Sequence, residues 1–283
     1  MLPNFLYIGA DKSGSTWIYE CLKEHPEVCV PVCKDLQFFE RYFNRGLKWY
    51  ESFFRDCGKA KAIGEVSHNY LFHKEAAKRI FYTIPKVKLI ACLREPIERA
   101  FSEYLHLIRN GATFSFAEAL KQHPELVENG RYVKHLKNYF ELFDRKQMLI
   151  LFYDELQKDP ASFIQRIYNF LGVDDRFRPS VLHKRILPDS KPRIRFLAAL
   201  GHKIALLLRE MGYLNLLGKI KSSKFIKNLL YKKLEKLPEM DPSVCEYLYK
   251  IYQPELCELT LLLRTNLPQN WLNNKHNWKK RNS

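Results

Sequence analysis

At 283 residues, with 46% apolar and 14% aromatic side chains, the chain is long enough to bury a large core as one domain or one domain with an appendage, which excludes a disordered protein. Its formal net charge of +16 points to anionic partners: nucleotide, sulfated or acidic glycan, nucleic acid or membrane surface. No signal peptide is expected from its opening residues, no apolar run is long enough to span a bilayer, and no repeat is apparent.

The first apolar run, Phe5-Leu6-Tyr7-Ile8, reads as a buried strand. Gly9-Ala10-Asp11-Lys12-Ser13-Gly14 follows as a turn, and Ser15 and Thr16 offer caps for a helix to about residue 23. A strand, a small-residue turn and a helix start make an anion cradle, because free N–H groups and the positive end of the helix dipole converge there. Lys12 adds a full charge at its mouth. Gly9 and Gly14 have the spacing of a nucleotide triphosphate loop, but that motif needs lysine where Ser15 stands. This displaced lysine, and the lack of a clear magnesium-binding carboxylate after an apolar strand, argue against a nucleotide kinase.

Further along, 28–32 is a short extended piece and 46–54 is helical. Residues 61–66 form a strand opening into Ser67-His68-Asn69-Tyr70, and a helix covers 74–83. Residues 87–93 are the clearest strand. It breaks at Arg94-Glu95-Pro96, with Pro96 suited to the first turn of a helix to about 109. Helices near 115–122 and 132–143, a strand over 147–153 and a helix over 161–171 complete this part. Strands separated by helices predict an α/β fold: a P-loop-like parallel sheet flanked by helices, followed by a helical, basic C-terminal portion. The expected division is an α/β nucleotide-binding core over 1–175, a helical cap or lid over 176–272, and a basic tail over 273–283.

Ligands of open parallel sheets sit at the carboxyl ends of the strands. A second anion site is expected there at Arg94 and Ser102, two helical turns apart. Arg94 paired with Glu95 or Glu98 is the structural alternative. Two anion sites suit a nucleotide with phosphates on both sides of its ribose.

The seven cysteines, at 21, 29, 33, 57, 92, 245 and 257, are odd in number and lack a CxxC pair. Most read as reduced core residues, and no zinc spacing is found. With the first strand so close to Met1, no membrane stem is expected, and the expected setting is the cytoplasm.

These residues resemble a known family, the sulfotransferases that use 3′-phosphoadenylyl sulfate (PAPS). The segment from Ile8 to Trp17 looks like that family's 5′-phosphosulfate loop, and the segment from Cys92 to Tyr104 looks like its 3′-phosphate motif. The similarity runs on through Gly130-Arg131-Tyr132, Leu151-Phe152-Tyr153-Asp154-Glu155 and Phe170-Leu171-Gly172. Lys34-Asp35-Leu36-Gln37-Phe38-Phe39 with Gly46-Leu47-Lys48-Trp49-Tyr50 is most like the heparan-sulfate and related bacterial enzymes.

The resemblance implies PAPS as co-substrate and 3′,5′-bisphosphoadenosine (PAP) as product, with no metal required. Lys12 would contact the bridging and sulfuryl oxygens. Ser13, Gly14, Ser15, Thr16 and Trp17 would hold the 5′-phosphate, and Arg94 and Ser102 the 3′-phosphate. Tyr153 would lie near the adenine, and Lys191 and Arg193 would assist at the 3′-phosphate. An acceptor that loses a proton needs a base. In heparan-type enzymes a glutamate takes that role at the position of Asp35. Aspartate is one methylene shorter, and His68 stands where that motif often has a small residue or proline, so His68 could be the base instead, as histidine is in the cytosolic small-molecule branch. Either Asp35 or His68 is the expected base. Val66 replaces a usual lysine, and the disulfide-bearing loop of the heparan enzymes has no counterpart that the sequence reveals.

The expected acceptor is a saccharide, with a hydroxylated lipid or secondary metabolite as the second choice. No specific nucleic acid is expected, and the oligomeric state stays open. Residues 184–236 carry 14 Lys or Arg against 3 Asp or Glu. Phe196, Leu197, Leu200, Ile204, Leu207, Leu208 and Met211 recur there at helical spacing. A helical cap with a solvated basic face, a lid, a glycan-docking face and a membrane-surface contact through 196–237 are its candidate roles. A non-catalytic polyanion binder acting through this segment is the reading from another class.

Overall fold

A computed structural model describes residues 1–184, 190–192, 195–222, 231–233 and 238–272. The elements in chain order are β1 (Phe5–Gly9), α1 (Ser15–Glu24), β2 (Val28–Cys29), α2 (Leu47–Glu51), β3 (Ala62–Val66), α3 (Lys74–Thr83), β4 (Lys88–Leu93) and α4 (Pro96–Arg109). There follow α5 (Phe116–Gln122), α6 (Glu125–Glu128), α7 (Tyr132–Phe140), β5 (Met148–Phe152), α8 (Tyr153–Lys158), α9 (Pro160–Leu171), β6 (Ser190–Pro192), α10 (Arg195–Glu210), α11 (Leu214–Ser222) and β7 (Tyr231–Lys233). The helices Pro242–Leu263 and Gln269–Leu272 close the described chain.

The chain divides into two compact units, one of residues 1–94 and 134–187, the other of 95–133 and 188–283. The sequence placed one break near 175. In the structure, α4 to α6 group instead with the C-terminal part, since Ile97, Ala100, Tyr104 and Leu126 share a core with Val244, Leu248 and Tyr252 of the closing helix. Periodicity along one segment does not reveal which distant segment its apolar face meets.

The first unit holds a five-stranded sheet in the order β2-β3-β1-β4-β5, every neighbour parallel. Strand β1 is buried along its whole length, as a central parallel strand covered on both faces must be. Sequence order reverses on either side of β1, so the loops after β1, β3 and β4 leave from one edge of the sheet at its switch point. Helix α1 packs Trp17, Ile18, Cys21 and Leu22 into a core shared with Tyr7, Phe163, Ile167 and Tyr168.

Several local expectations need correction. The first helix is not capped by Ser15 or Thr16: Gly14, in the left-handed conformation, is its N-cap and offers no side-chain bond. Tyr153 does not end a strand but opens α8. Part of the basic segment is extended, β6 pairing antiparallel with β7, while the amphipathic helix is present as α10. Cys29 and Cys57 form a disulfide across 28 residues, joining the edge strand β2 to the end of the 3-10 helix Ser52–Cys57, a pairing that no cysteine spacing predicts. Cys21, Cys33, Cys92 and Cys245 are buried free thiols. The tail over 273–283 lies outside the described residues.

Among the described residues, no helix is long and apolar enough to cross a membrane, and no group of His, Cys, Asp and Glu is arranged to hold a metal ion.

Candidate active site

The loop after β1 is shaped by its backbone. Lys12 sits at φ 57° and Gly14 at φ 85°, two left-handed residues that fold the loop back on the helix start. Only glycine suits position 14: besides its φ, a Cβ there would come 2.7 Å from Leu156 and 3.4 Å from the Tyr153 ring. The first helical bond runs from Ile18 N–H to the Gly14 carbonyl (3.0 Å). The N–H groups of Ser15, Thr16 and Trp17 therefore face out of the helix end, toward the loop. With no side-chain cap, this end is built to receive an anion. The residues present fit a phosphosulfate here.

Lys12 lies at this mouth, half-buried. Its carbonyl accepts from Arg94 Nη1 at 3.0 Å, and the Arg94 guanidinium lies 4.8 Å from the centre of the Tyr153 ring. Arg94 thus braces the β1–α1 loop, and Tyr153, expected from the sequence near the adenine, forms the wall between Arg94 and Gly14. Trp17 was expected to touch the nucleotide. Its indole is buried against Phe163 and donates to the Val181 carbonyl at 3.3 Å, so only its main chain faces the loop. Ser13 is fully buried and donates to the Asp11 carbonyl at 3.2 Å, holding the turn rather than presenting its hydroxyl.

The loop after β2 comes to the same end of the sheet. Tyr19 of α1 donates to the Pro31 carbonyl (2.8 Å), and Asp35 N–H donates to the Val66 carbonyl (3.0 Å), so this loop is pinned between helix α1 and the end of β3. Lys34, which the sequence reading left without a role, donates through Nζ to Ser15 Oγ at 2.8 Å and Thr16 Oγ1 at 3.5 Å. The same ammonium lies 3.6 Å from Asp35 Oδ2. No linear signal marks it, because its partners lie 18 and 19 residues away along the chain.

Asp35 and His68, posed as alternatives by the sequence, are brought together. His68 Nδ1 lies 2.5 Å from Asp35 Oδ1, and the His68 backbone N–H also points at that oxygen (3.3 Å). The carboxylate accepts both, which fixes the proton on Nδ1 and leaves Nε2 as the acceptor. A polar chain therefore runs from the helix start through Ser15, Lys34 and Asp35 to His68. His68 is tied to the first loop as well: a Cβ on Gly9 would lie 2.7 Å from the His68 carbonyl.

Beneath this pair, Glu65 is buried, and burial pushes its carboxyl up to about 8, with Tyr70 and Ser67 opposing that rise. Asp35 nearby raises it further. The Tyr70 hydroxyl accepts from Phe38 N–H at 3.0 Å, and Phe38 stacks on Tyr50 with centroids 4.3 Å apart. Phe38, Phe39, Tyr50 and Tyr70 are core residues that anchor the Asp35 loop.

In the second unit, Ser102 is half-buried on α4. The start of α4 is closed by its own residues: Glu95 Oε2 accepts from Glu98 N–H at 2.7 Å, and Pro96 fills the first turn. Strand β6, which carries Lys191, lies against α4. Arg193 lies outside the described residues.

Comparison with known proteins gives the family. A sequence model of the sulfotransferase domain matches residues 2–259. The chain is 29% identical over 285 residues to the human bifunctional heparan sulfate N-deacetylase/N-sulfotransferase 3, covering 93% of this chain and 30% of that protein. It is 30% identical over 182 residues to heparan sulfate glucosamine 3-O-sulfotransferase 3B1 of Mus musculus, covering 61% of this chain and 46% of that one. The chain thus spans less than half the length of these curated relatives. A crystal structure of a sulfotransferase from Alicyclobacillus acidocaldarius shares the fold, with a TM-score of 0.73 and 24% identity over 96% of this chain and all of that one. On the match over residues 2–259, the chain belongs to the sulfotransferase domain family.

Proposed function

We propose that the chain moves a sulfuryl group from PAPS to a hydroxyl or amine of a saccharide acceptor, releasing PAP. The observation that carries this reading is the unbroken polar chain from an uncapped helix start to a histidine oriented by a carboxylate. The α1 N-terminus and Lys12 receive the 5′-phosphosulfate, and both oppose the negative charge that grows on the phosphate oxygen as the sulfur–oxygen bond to it breaks. His68 Nε2 takes the proton from the acceptor as the new bond to sulfur forms. Asp35 holds the imidazole in that tautomer and stabilises the imidazolium. Arg94 and Tyr153 keep the loop in register. Ser102 and Lys191 are the residues that the family resemblance assigns to the 3′-phosphate, as it does Arg94.

Saccharide is favoured as the acceptor by the relatives named for heparan sulfate and by the net charge of +16, which suits an acidic glycan. Calorimetric titration of PAP without metal, beside magnesium ATP, tests the donor. Tight binding of PAP alone supports it, and a preference for magnesium ATP overturns it. Label transfer from PAPS to unsulfated heparan-type oligosaccharides, beside hydroxylated lipids and phenols, then tests the acceptor.

The cytoplasm is the setting expected from the sequence, and the Cys29–Cys57 bridge argues instead for an oxidising compartment. Alkylation of protein from its native cells, with mass mapping of the two cysteines, decides between them. A membrane-surface contact would draw on Ile204, Leu207 and Met211, exposed at helical spacing. Flotation with anionic vesicles tests it.

A further inference from the structure

Lys34 has a placement that the loop's own packing does not require. Its side chain is 18% exposed, withdrawn from water although a lysine next to an aspartate at a surface could stay solvated. It reaches the first two residues of α1 and spends its donors on the Ser15 and Thr16 hydroxyls. A cation at a helix N-terminus meets the positive end of the dipole, and Lys12 lies at the same mouth. Each of these opposes the placement. Asp35 at 3.6 Å offsets part of that cost, and an anion seated on the helix end would lower it further.

The hydroxyl chemistry points the same way. A lysine ammonium has only donors, so Ser15 and Thr16 must accept from it and keep their own O–H hydrogens to donate. Those hydrogens are aimed away from Lys34, polarised by its charge, and carried at the same helix end as the first-turn N–H groups.

We propose that Lys34 is a second cation of the 5′-phosphosulfate site, acting on the 5′-phosphate together with the Ser15 and Thr16 hydroxyls that it polarises. This rests on the reading of the β1–α1 loop as the 5′-phosphosulfate site. Lys34 also sets one positive charge between the leaving phosphate and the carboxylate that orients His68, so the donor and the base share a neighbour.

The test separates a phosphate contact from a merely structural lysine by comparing two nucleotides that differ only in the 5′-phosphate. PAP and adenosine 3′-monophosphate are titrated calorimetrically into the full chain and into Lys34→Met and Lys34→Arg. Lys34→Met is expected to weaken PAP by about 10- to 100-fold, the range of a charge-assisted hydrogen bond. Adenosine 3′-monophosphate should change by less than about twofold, since it lacks the group that Lys34 meets. Lys34→Arg, which keeps the charge, should recover most of the PAP affinity. Equal weakening of both nucleotides, or unchanged PAP affinity in Lys34→Met, overturns the proposal. If Lys34→Met does not fold, loss of PAP preference in Ser15→Ala supports it and retention overturns it. A wild-type chain that binds the two nucleotides alike would mean that the loop is not a 5′-phosphate site at all, a failure distinct from that of Lys34.

Discussion

The two strand-to-helix junctions look alike on paper and are finished in opposite ways. Both pass from an apolar parallel strand through a basic residue into a helix, Lys12 after β1 and Arg94 after β4. At α1 the cap is a glycine with no side chain to offer, so the helix's first N–H groups are left for a ligand. At α4 the Glu95 carboxylate occupies that place, bonding Glu98 N–H. An anion at the first junction meets a positive helix end, whereas one at the second meets a carboxylate. A phosphate near α4 would therefore have to be held by side chains rather than by the helix end. The lesson is that a basic residue before a helix does not define an anion site; the cap residue does.

The largest effect should come from the open junction. Lys12→Ala is expected to lower kcat by about 100- to 1000-fold, the size of a lost transition-state donor, with a smaller change in PAP affinity and an unchanged melting temperature. Single-turnover kinetics beside calorimetry check this, and a loss confined to PAP binding would break the assignment. His68→Asn follows, with about a 100-fold loss as for other general bases.

The third effect is on stability. Glu65 has a folded pKa raised to about 8 against an unfolded value of about 4.3. The folded chain holds a proton that the unfolded chain releases, so this group's contribution to stability falls as pH rises from about 4.3 to 8, by a few kcal/mol. Urea unfolding of wild type and Glu65→Gln across that range should show the slope in the first and its removal in the second. The smallest effect belongs to the closed junction. Glu95→Ala should cost about 1 kcal/mol of stability through the lost cap. PAP affinity should hold or improve as the carboxylate leaves. A thousandfold loss of kcat there, with stability intact, would erase the contrast between the two junctions.

Much of the first unit was legible before any coordinates. Its strands are continuous apolar runs bounded by Gly, Pro and charged turns, and α4 begins and ends where Pro96 and the spacing of its apolar residues put it. The β1–α1 loop was legible because its glycines and lysine lie within six residues of one another, Gly9 to Gly14. Asp35 and His68 could each be named as a base, yet nothing in the chain said that they touch, with 33 residues between them. Lys34 was passed over for the same reason. Trp17 and Ser13 were named without saying which part of each residue would serve, and their side chains turn away from the loop mouth, which a motif cannot express.

The sequence by itself determined the alternation of strand and helix, the anion-receiving loop and the family, since these depend on local periodicity and on residues within a turn of one another. Only the tertiary structure decided the Asp35–His68 pair, the reach of Lys34 to the start of α1, the Cys29–Cys57 bridge and the grouping of α4 to α6 with the C-terminal helices. Each of those is a meeting of distant segments. It is settled by how parallel strands order themselves around β1 and which faces they cover, not by any preference of the residues that meet.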